Sequence, residues 1–174
     1  MMRILLCLLL LSPAFSFAQE WKTFNNDSIL FTAKYPADWV NKIKDGKRVF
    51  FTSPSEGKDD AFAENINISV STNSQYGTTL KIDEFVQPIF DNVKKTFIEF
   101  TEETRQAIKW NGIDAYEITY SGNRKEDEKM WFRFIQRFCF YKSRLYMLTY
   151  VSLKSNNKFT ETARQIINSI KFKP

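Results

Sequence analysis

Apolar and polar positions alternate along much of this chain, and the alternation predicts strands. It is clearest over Met130–Leu153, MWFRFIQRFCFYKSRLYMLTYVSL. Both arms of this stretch are filled by Val, Ile, Phe, Tyr, Trp and Thr, which favour strand over helix. Read as a hairpin with a two-residue loop at Lys142–Ser143, it sets Tyr141 opposite Arg144, and residue parity then separates the faces. One face carries Phe132, Phe134, Gln136, Phe138 and Phe140 with Leu145, Met147, Thr149, Val151 and Leu153. The other carries Trp131, Arg133, Ile135, Arg137, Cys139 and Tyr141 with Tyr146, Leu148, Tyr150 and Ser152. A slip of one residue would exchange the faces. Burying a Phe contributes about 1.5–3 kcal/mol, so the phenylalanine row marks its face as core.

The same reading gives the other elements. Trp21–Phe24 and Ser28–Tyr35 are strands, the second ending at Pro36, which forces the chain to turn so that Trp39 packs back on the core edge. Val40–Lys44 and Lys47–Thr52 flank Asp45–Gly46, a hairpin signal. In Asn65–Thr72, Ile66, Ile68 and Val70 alternate with polar residues, as in a half-buried strand. Ile82, Phe85, Val86, Ile89, Phe90, Val93 and Phe97 recur at helical spacing, which predicts a helix from Ile82 to Phe97 with Thr79 or Asp83 as cap and a kink at Pro88. Ile98–Lys109 and Ile113–Ser121 are strands about an Asn111–Gly112 turn, and Gly122–Lys129 is a charged loop. Phe159, Ala163, Ile166, Ile167 and Ile170 share one face of a closing helix capped by Asn156 or Asn157. About seven or eight strands, mostly joined by tight turns, and two amphipathic helices imply α+β architecture: a single antiparallel β-sheet with helices packed on its faces.

Composition changes this picture at the N-terminus. Residues 1–18 carry Arg3, an apolar run at Ile4–Leu11 and a small-x-small site at Ser16–Phe17–Ala18, the pattern of a cleaved signal peptide. The run is too short to span a bilayer, and Cys7 lies inside it, not where a lipid-acceptor cysteine would stand. Residues 19–174 then form one domain, exported to the periplasm or secreted, with no transmembrane segment after cleavage. The domain keeps one cysteine, Cys139, read as a buried structural thiol. The chain has 25 basic and 20 acidic residues, net +5, with the signs interspersed. That is no nucleic-acid footprint, which needs a clustered basic stripe.

Histidine is absent. This excludes Ser-His-Asp and Cys-His catalysis and histidine-based zinc sites. Asp59, Asp60 and Glu64 cluster in sequence, but their spacing matches no calcium loop, and they are read as solvated loop charge. Glu102 and Glu103 are neighbours on a strand and point to opposite faces, so they cannot act as an acid/base pair. Asp83 and Glu84 suit a helix start. Lys42, Lys44, Lys47 and Arg48 bracket the Asp45–Gly46 turn, where lysines protect an exposed hairpin edge or touch an anionic partner. The charged Gly122–Lys129 loop is a soluble hairpin tip or a partner contact.

The order of elements, together with the strand into Tyr35–Pro36–Ala37–Asp38–Trp39, then Arg48–Pro54 (RVFFTSP), the Asn65–Val70 strand and the Phe159–Ile170 helix, resembles the PsbP-like superfamily. That superfamily takes in the PsbP subunit of photosystem II and DcrB-type exported bacterial proteins. The resemblance implies an α/β/α sandwich and accessory, binding or chaperone-like roles without catalysis. Metal sites proposed for photosynthetic members need histidines, so none transfers.

The expected function is therefore a noncatalytic, monomeric binding or accessory domain of the bacterial cell envelope, with no cofactor and no metal, holding an unidentified envelope protein or a small ligand. The alternative is an assembly or chaperone-type factor for an envelope complex. A histidine-free enzyme using Lys, Tyr or carboxylate has no support in the spacing. The candidate binding residues are Trp131, Arg133, Arg137, Tyr146 and Tyr150, since Trp, Tyr and Arg dominate interface energetics. The competing reading of that face is a sheet surface covered by a helix, with arginine stems lying on aromatics.

Overall fold

A computed structural model describes residues 19–174; the signal-peptide pattern at 1–18 lies outside the described residues. Ten strands and two helices follow in order: β1 (Trp21–Asn26), β2 (Phe31–Pro36), β3 (Val40–Lys44), β4 (Arg48–Thr52), β5 (Asn65–Thr72), α1 (Ile82–Lys94), β6 (Phe97–Trp110), β7 (Ile113–Arg124), β8 (Asp127–Tyr141), β9 (Arg144–Leu153), α2 (Thr160–Ser169) and β10 (Lys171–Phe172).

The expected hairpin forms with the expected register. Tyr141 pairs with Arg144, Phe138 with Met147 and Phe134 with Val151. The loop is Lys142–Ser143, with φ of 49° and 54°. Both residues occupy the left-handed region that a primed two-residue turn requires, although neither is Gly or Asn.

The single sheet expected from sequence is corrected to two. Seven strands run in the order β3-β4-β5-β9-β8-β7-β6, and a separate three-stranded sheet has the order β1-β2-β10, all pairs being antiparallel. The physical cause lies at Pro36: after it the chain turns sharply, with Ala37 N–H donating to the Glu20 carbonyl, and β3 leaves for the larger sheet. The edge of β2 is instead taken by β10, the two residues after α2, a segment too short for a periodic signal.

Other boundaries also differ. Phe97 opens β6 instead of closing α1. Pro88 sits within α1 on its exposed side, where water can serve the carbonyl that its missing N–H frees. The α1 cap is Lys81, not Thr79 or Asp83, with Glu84 Oε2 accepting from its N–H at 3.5 Å. The α2 cap is Phe159, while Asn156 accepts from Lys158 N–H instead. The charged loop shrinks to a turn at Lys125–Glu126, because the β7–β8 ladder continues past a bulge at Asn123/Arg124.

Each face of the large sheet has its own core. Val86 and Phe90 of α1 pack on Ile118, Tyr120, Phe132, Phe134 and Phe138, and α1 touches β6, β7 and β8. On the opposite face, Ile135, Tyr146, Leu148 and Tyr150 pack with α2 (Ala163, Ile166, Ile167) and with Phe24, Phe31 and Ala33 of the small sheet.

Replacing Ser143 by Gly should relieve left-handed strain at the hairpin turn. We expect a gain of about 0.5–1 kcal/mol in urea unfolding, and a loss would mean that the turn does not adopt this geometry in solution.

Candidate functional site

The five residues singled out from the sequence share one face, but the structure does not leave that face open. α2 and the small sheet close over it. Tyr146 is buried and its hydroxyl donates to the Ile29 carbonyl at 2.9 Å, tying β9 to the small sheet. Tyr150 is equally buried, and burial raises the pKa of both phenols. Arg137 lies inside as well, its Nε donating to Glu117 Oε2 at 2.6 Å, while Arg164 of α2 approaches Glu117 Oε1 at 3.4 Å. The stem expectation holds for Arg137 in that its guanidinium lies 5.7 Å from the Trp110 ring centre, but the head is not in water. Only Trp131 and Arg133 reach the surface. Lys154 Nζ sits 4.7 Å from the Trp131 ring centre, and Arg133 pairs with Glu103 at 2.7 Å. Arg137, Tyr146 and Tyr150 therefore join layers and do not line a concavity.

An open concavity lies on the phenylalanine face. α1 packs on β6, β7 and β8, and between its Val93 and the segment containing Phe62 the sheet lies open. A cavity of about 580 Å³ opens there, lined by Phe62, Val93, Phe97, Phe132, Phe134 and Val151 together with Asn65, Asn67, Gln136 and Thr149. Register explains the polar group. Asn67 pairs with Thr149 and Thr149 with Gln136, so three polar side chains form one row across β5, β9 and β8. Gln136 Nε2 donates to Thr149 Oγ1 at 3.0 Å. Arg124 and Glu126, paired at 2.9 Å, also line the cavity. Phe97, which lines the cavity, depends on Gly122: a Cβ there would strike the Glu99 carbonyl and the Phe97 ring, so only glycine lets Phe97 settle onto the sheet. Sequence reading listed Gln136 and Thr149 on this face but treated the face as closed core.

The acid/base inventory is sparse. Among the described residues no group of three or more His, Cys, Asp or Glu side chains is placed to hold a metal ion. Burial pushes the Cys139 thiol and the Tyr120 phenol far up, so neither ionises near neutrality. The acidic cluster of the 53–64 segment divides. Asp60 accepts from the Glu56 and Phe62 N–H groups at 2.9 and 3.2 Å, which hold its carboxyl below the usual range. Glu64 is not solvated charge. It is 1% exposed, accepting from Ser53 Oγ at 3.3 Å and Asn156 Nδ2 at 3.1 Å. Desolvation raises its pKa. The signal was present in the alternation, since Glu64 continues the inward row of Ile66, Ile68 and Val70.

This architecture defines a β-rich sandwich with a cleft on one face. Residues 14–172 match the family described as PsbP-like protein, and the chain belongs to that family. Solved structures share the fold. LpqN of Mycobacterium tuberculosis, described as involved in cell envelope biogenesis, is 13% identical, with a TM-score of 0.64 over 89% of this chain and 91% of its own. The cyanobacterial PsbP of Synechocystis sp. PCC 6803 is 11% identical, with a TM-score of 0.62 over 94% and 98%. The Saccharomyces cerevisiae Ran-binding protein Mog1p is 6% identical, with a TM-score of 0.57 over 89% and 96%. At these identities the likeness is one of fold. No curated protein matches the chain.

Two substitutions test the structural assignments. Arg137→Ala leaves Glu117 buried with only its longer Arg164 contact, and should cost about 3 kcal/mol in chemical denaturation. Arg133→Ala should change stability by less than about 0.5 kcal/mol; equal effects would contradict the burial difference.

Glu64 gives a pH test. Its raised pKa means that the folded protein holds this proton more tightly than the unfolded chain does. The stability it contributes is complete below the ordinary carboxyl value of 4.5 and is lost as pH rises through the folded value. Glu64→Gln keeps the neutral form throughout, so thermal unfolding should find it more stable than wild type at pH 7, with the gap closing as pH falls toward 4.5. A gap that widens on acidification would reverse the assignment.

Proposed function

We propose that this chain is an exported, noncatalytic binding or accessory domain of the bacterial cell envelope, and that its ligand or partner is held in the cavity over the phenylalanine face. The observation that carries this reading is the incomplete cover of that face. α1 buries the β6–β8 half, while partly buried Phe62 and Val151 border an opening with polar groups at its base. Concave sites with apolar walls and a few convergent polar groups are the usual form of small-molecule sites. Membership of the PsbP-like family and the signal-peptide pattern of residues 1–18 support export, and the absence of histidine supports binding without catalysis. Among the described residues no helix is long and apolar enough to cross a membrane. Trp131 and Arg133 serve as a secondary surface contact for a protein partner.

A second reading, an assembly or chaperone-type factor, is favoured by β3. This edge strand is exposed along its whole length, with Val40 and Ile43 in water, and an open edge is a template for a strand from another chain.

The test is retention of material from envelope extract by the mature chain. Asn67→Trp puts a large side chain into the cavity from a half-exposed position. We expect it to lower retention of a small molecule or partner by about tenfold or more, with cell fractionation recovering a chain that begins at Gln19. Equal retention by both forms would refute the cavity. Loss of retention on mutating Val40 and Ile43 instead would favour the edge-strand reading.

A further inference from the structure

Resting on the cavity as the binding place, we propose that it takes a neutral, predominantly apolar molecule bearing one hydroxyl group, an alcohol or a phenol, with the hydroxyl seated on Gln136. The walls set the body of the ligand. Phe62, Phe97, Phe132 and Phe134 with Val93 and Val151 offer apolar surface, and removing apolar ligand area from water against them is favourable. The volume, about 580 Å³, lies in the range of small-molecule sites, roughly 300–1,000 Å³.

The base sets the polar group. Gln136 is 6% exposed and its Nε2 is committed to Thr149 Oγ1, while Oε1 has no hydrogen-bond partner. Other buried atoms share that state, namely Trp39 Nε1, Ser121 Oγ and the Tyr150 hydroxyl, but of these residues only Gln136 lines the cavity. A buried acceptor without a partner is costly, and a ligand that supplies a donor removes that cost. A hydroxyl fits because it donates and accepts from one atom, so it can meet the Gln136 carbonyl and the rotating Thr149 hydroxyl together. A ketone or ether has no donor to offer Oε1.

Charge is excluded by what the walls lack. The charged residues lining the cavity are Arg124 and Glu126, and they neutralise each other. A carboxylate or ammonium brought to Gln136 would lose its water without gaining a counter-ion.

The experiment compares three probes of one shape on the mature chain at pH 7 by calorimetry: 2-naphthol, 2-methoxynaphthalene and 2-naphthoate. We expect 2-naphthol to bind at least about tenfold tighter than either of the others, and Asn67→Trp to abolish its binding. In Gln136→Met the preference for 2-naphthol over 2-methoxynaphthalene should vanish while 2-methoxynaphthalene still binds. The wild type gives an independent readout: the Gln136 side-chain amide resonance should shift with 2-naphthol and not with the ether. Equal binding of naphthol and ether to wild type, with loss in Asn67→Trp, would overturn the hydroxyl assignment and leave the cavity standing. A naphthol preference that persists in Gln136→Met would do the same. No binding of any probe, or binding that Asn67→Trp leaves intact, would overturn the cavity itself and this inference with it.

Discussion

The register of the β8–β9 hairpin is the constraint on which the rest depends. A side-chain period of two leaves no intermediate setting: either Phe132, Phe134, Phe138 and Phe140 share a face with Met147 and Val151, or the arginines and tyrosines replace them. The Lys142–Ser143 turn decides this with two residues in the left-handed region, a conformation that costs L-residues about 1–2 kcal/mol each. The burial of aromatic surface on both sides of the sheet outweighs that cost, so the turn is held by the hairpin as much as the hairpin by the turn.

The two faces then receive unequal cover. The arginine–tyrosine face meets α2 and a second sheet, and it is sealed by polar links as well as by packing. The Tyr146 hydroxyl reaches the Ile29 carbonyl, Trp110 Nε1 reaches the Ile167 carbonyl at 3.2 Å, and Glu117 holds Arg137 and Arg164. The phenylalanine face meets one helix, α1, with Phe62 packed on Phe132 and Tyr76 stacked on Phe140 at 4.8 Å, and a helix covers a strip only about 10–12 Å wide. Seven strands spaced roughly 4.8 Å apart span more than that. One helix cannot roof such a sheet, and the uncovered part is where a ligand can enter. The binding role proposed for this molecule rests on that shortfall in cover.

Strand alternation also explains where polar residues stand inside. Glu117 and Gln136 occupy inward positions of strands, and Glu64, just before β5, continues that strand's inward row; their neighbours in those rows are apolar or small. The fold deals with them differently. Glu117 gains two guanidinium groups, Glu64 gains a hydroxyl and an amide but no cation, and Gln136 gains Thr149 and keeps one atom unpartnered. The first arrangement joins layers, the second makes stability depend on pH, and the third is chemistry left available to an incoming molecule.

Much of the secondary structure was legible in the chain because strand pairing here is local. The Asn111–Gly112 and Lys142–Ser143 turns join neighbouring strands, and alternation within 65–72 and 130–153 set which side chains lie together. The inward position of Glu64, one residue before β5, continues the same alternation, but a carboxylate in a polar segment reads as solvated. What no local signal carried was the pairing of distant segments: β10 with β2, β5 with β9, α2 with the arginine face. Only those contacts decided that there are two sheets, that Tyr146 and Tyr150 are interior, and that the cavity opens on the side richest in phenylalanine. The physical reason is that amphipathicity tells a strand that a face must be buried, while what buries it, and how completely, is settled by the lengths and positions of elements far away in sequence.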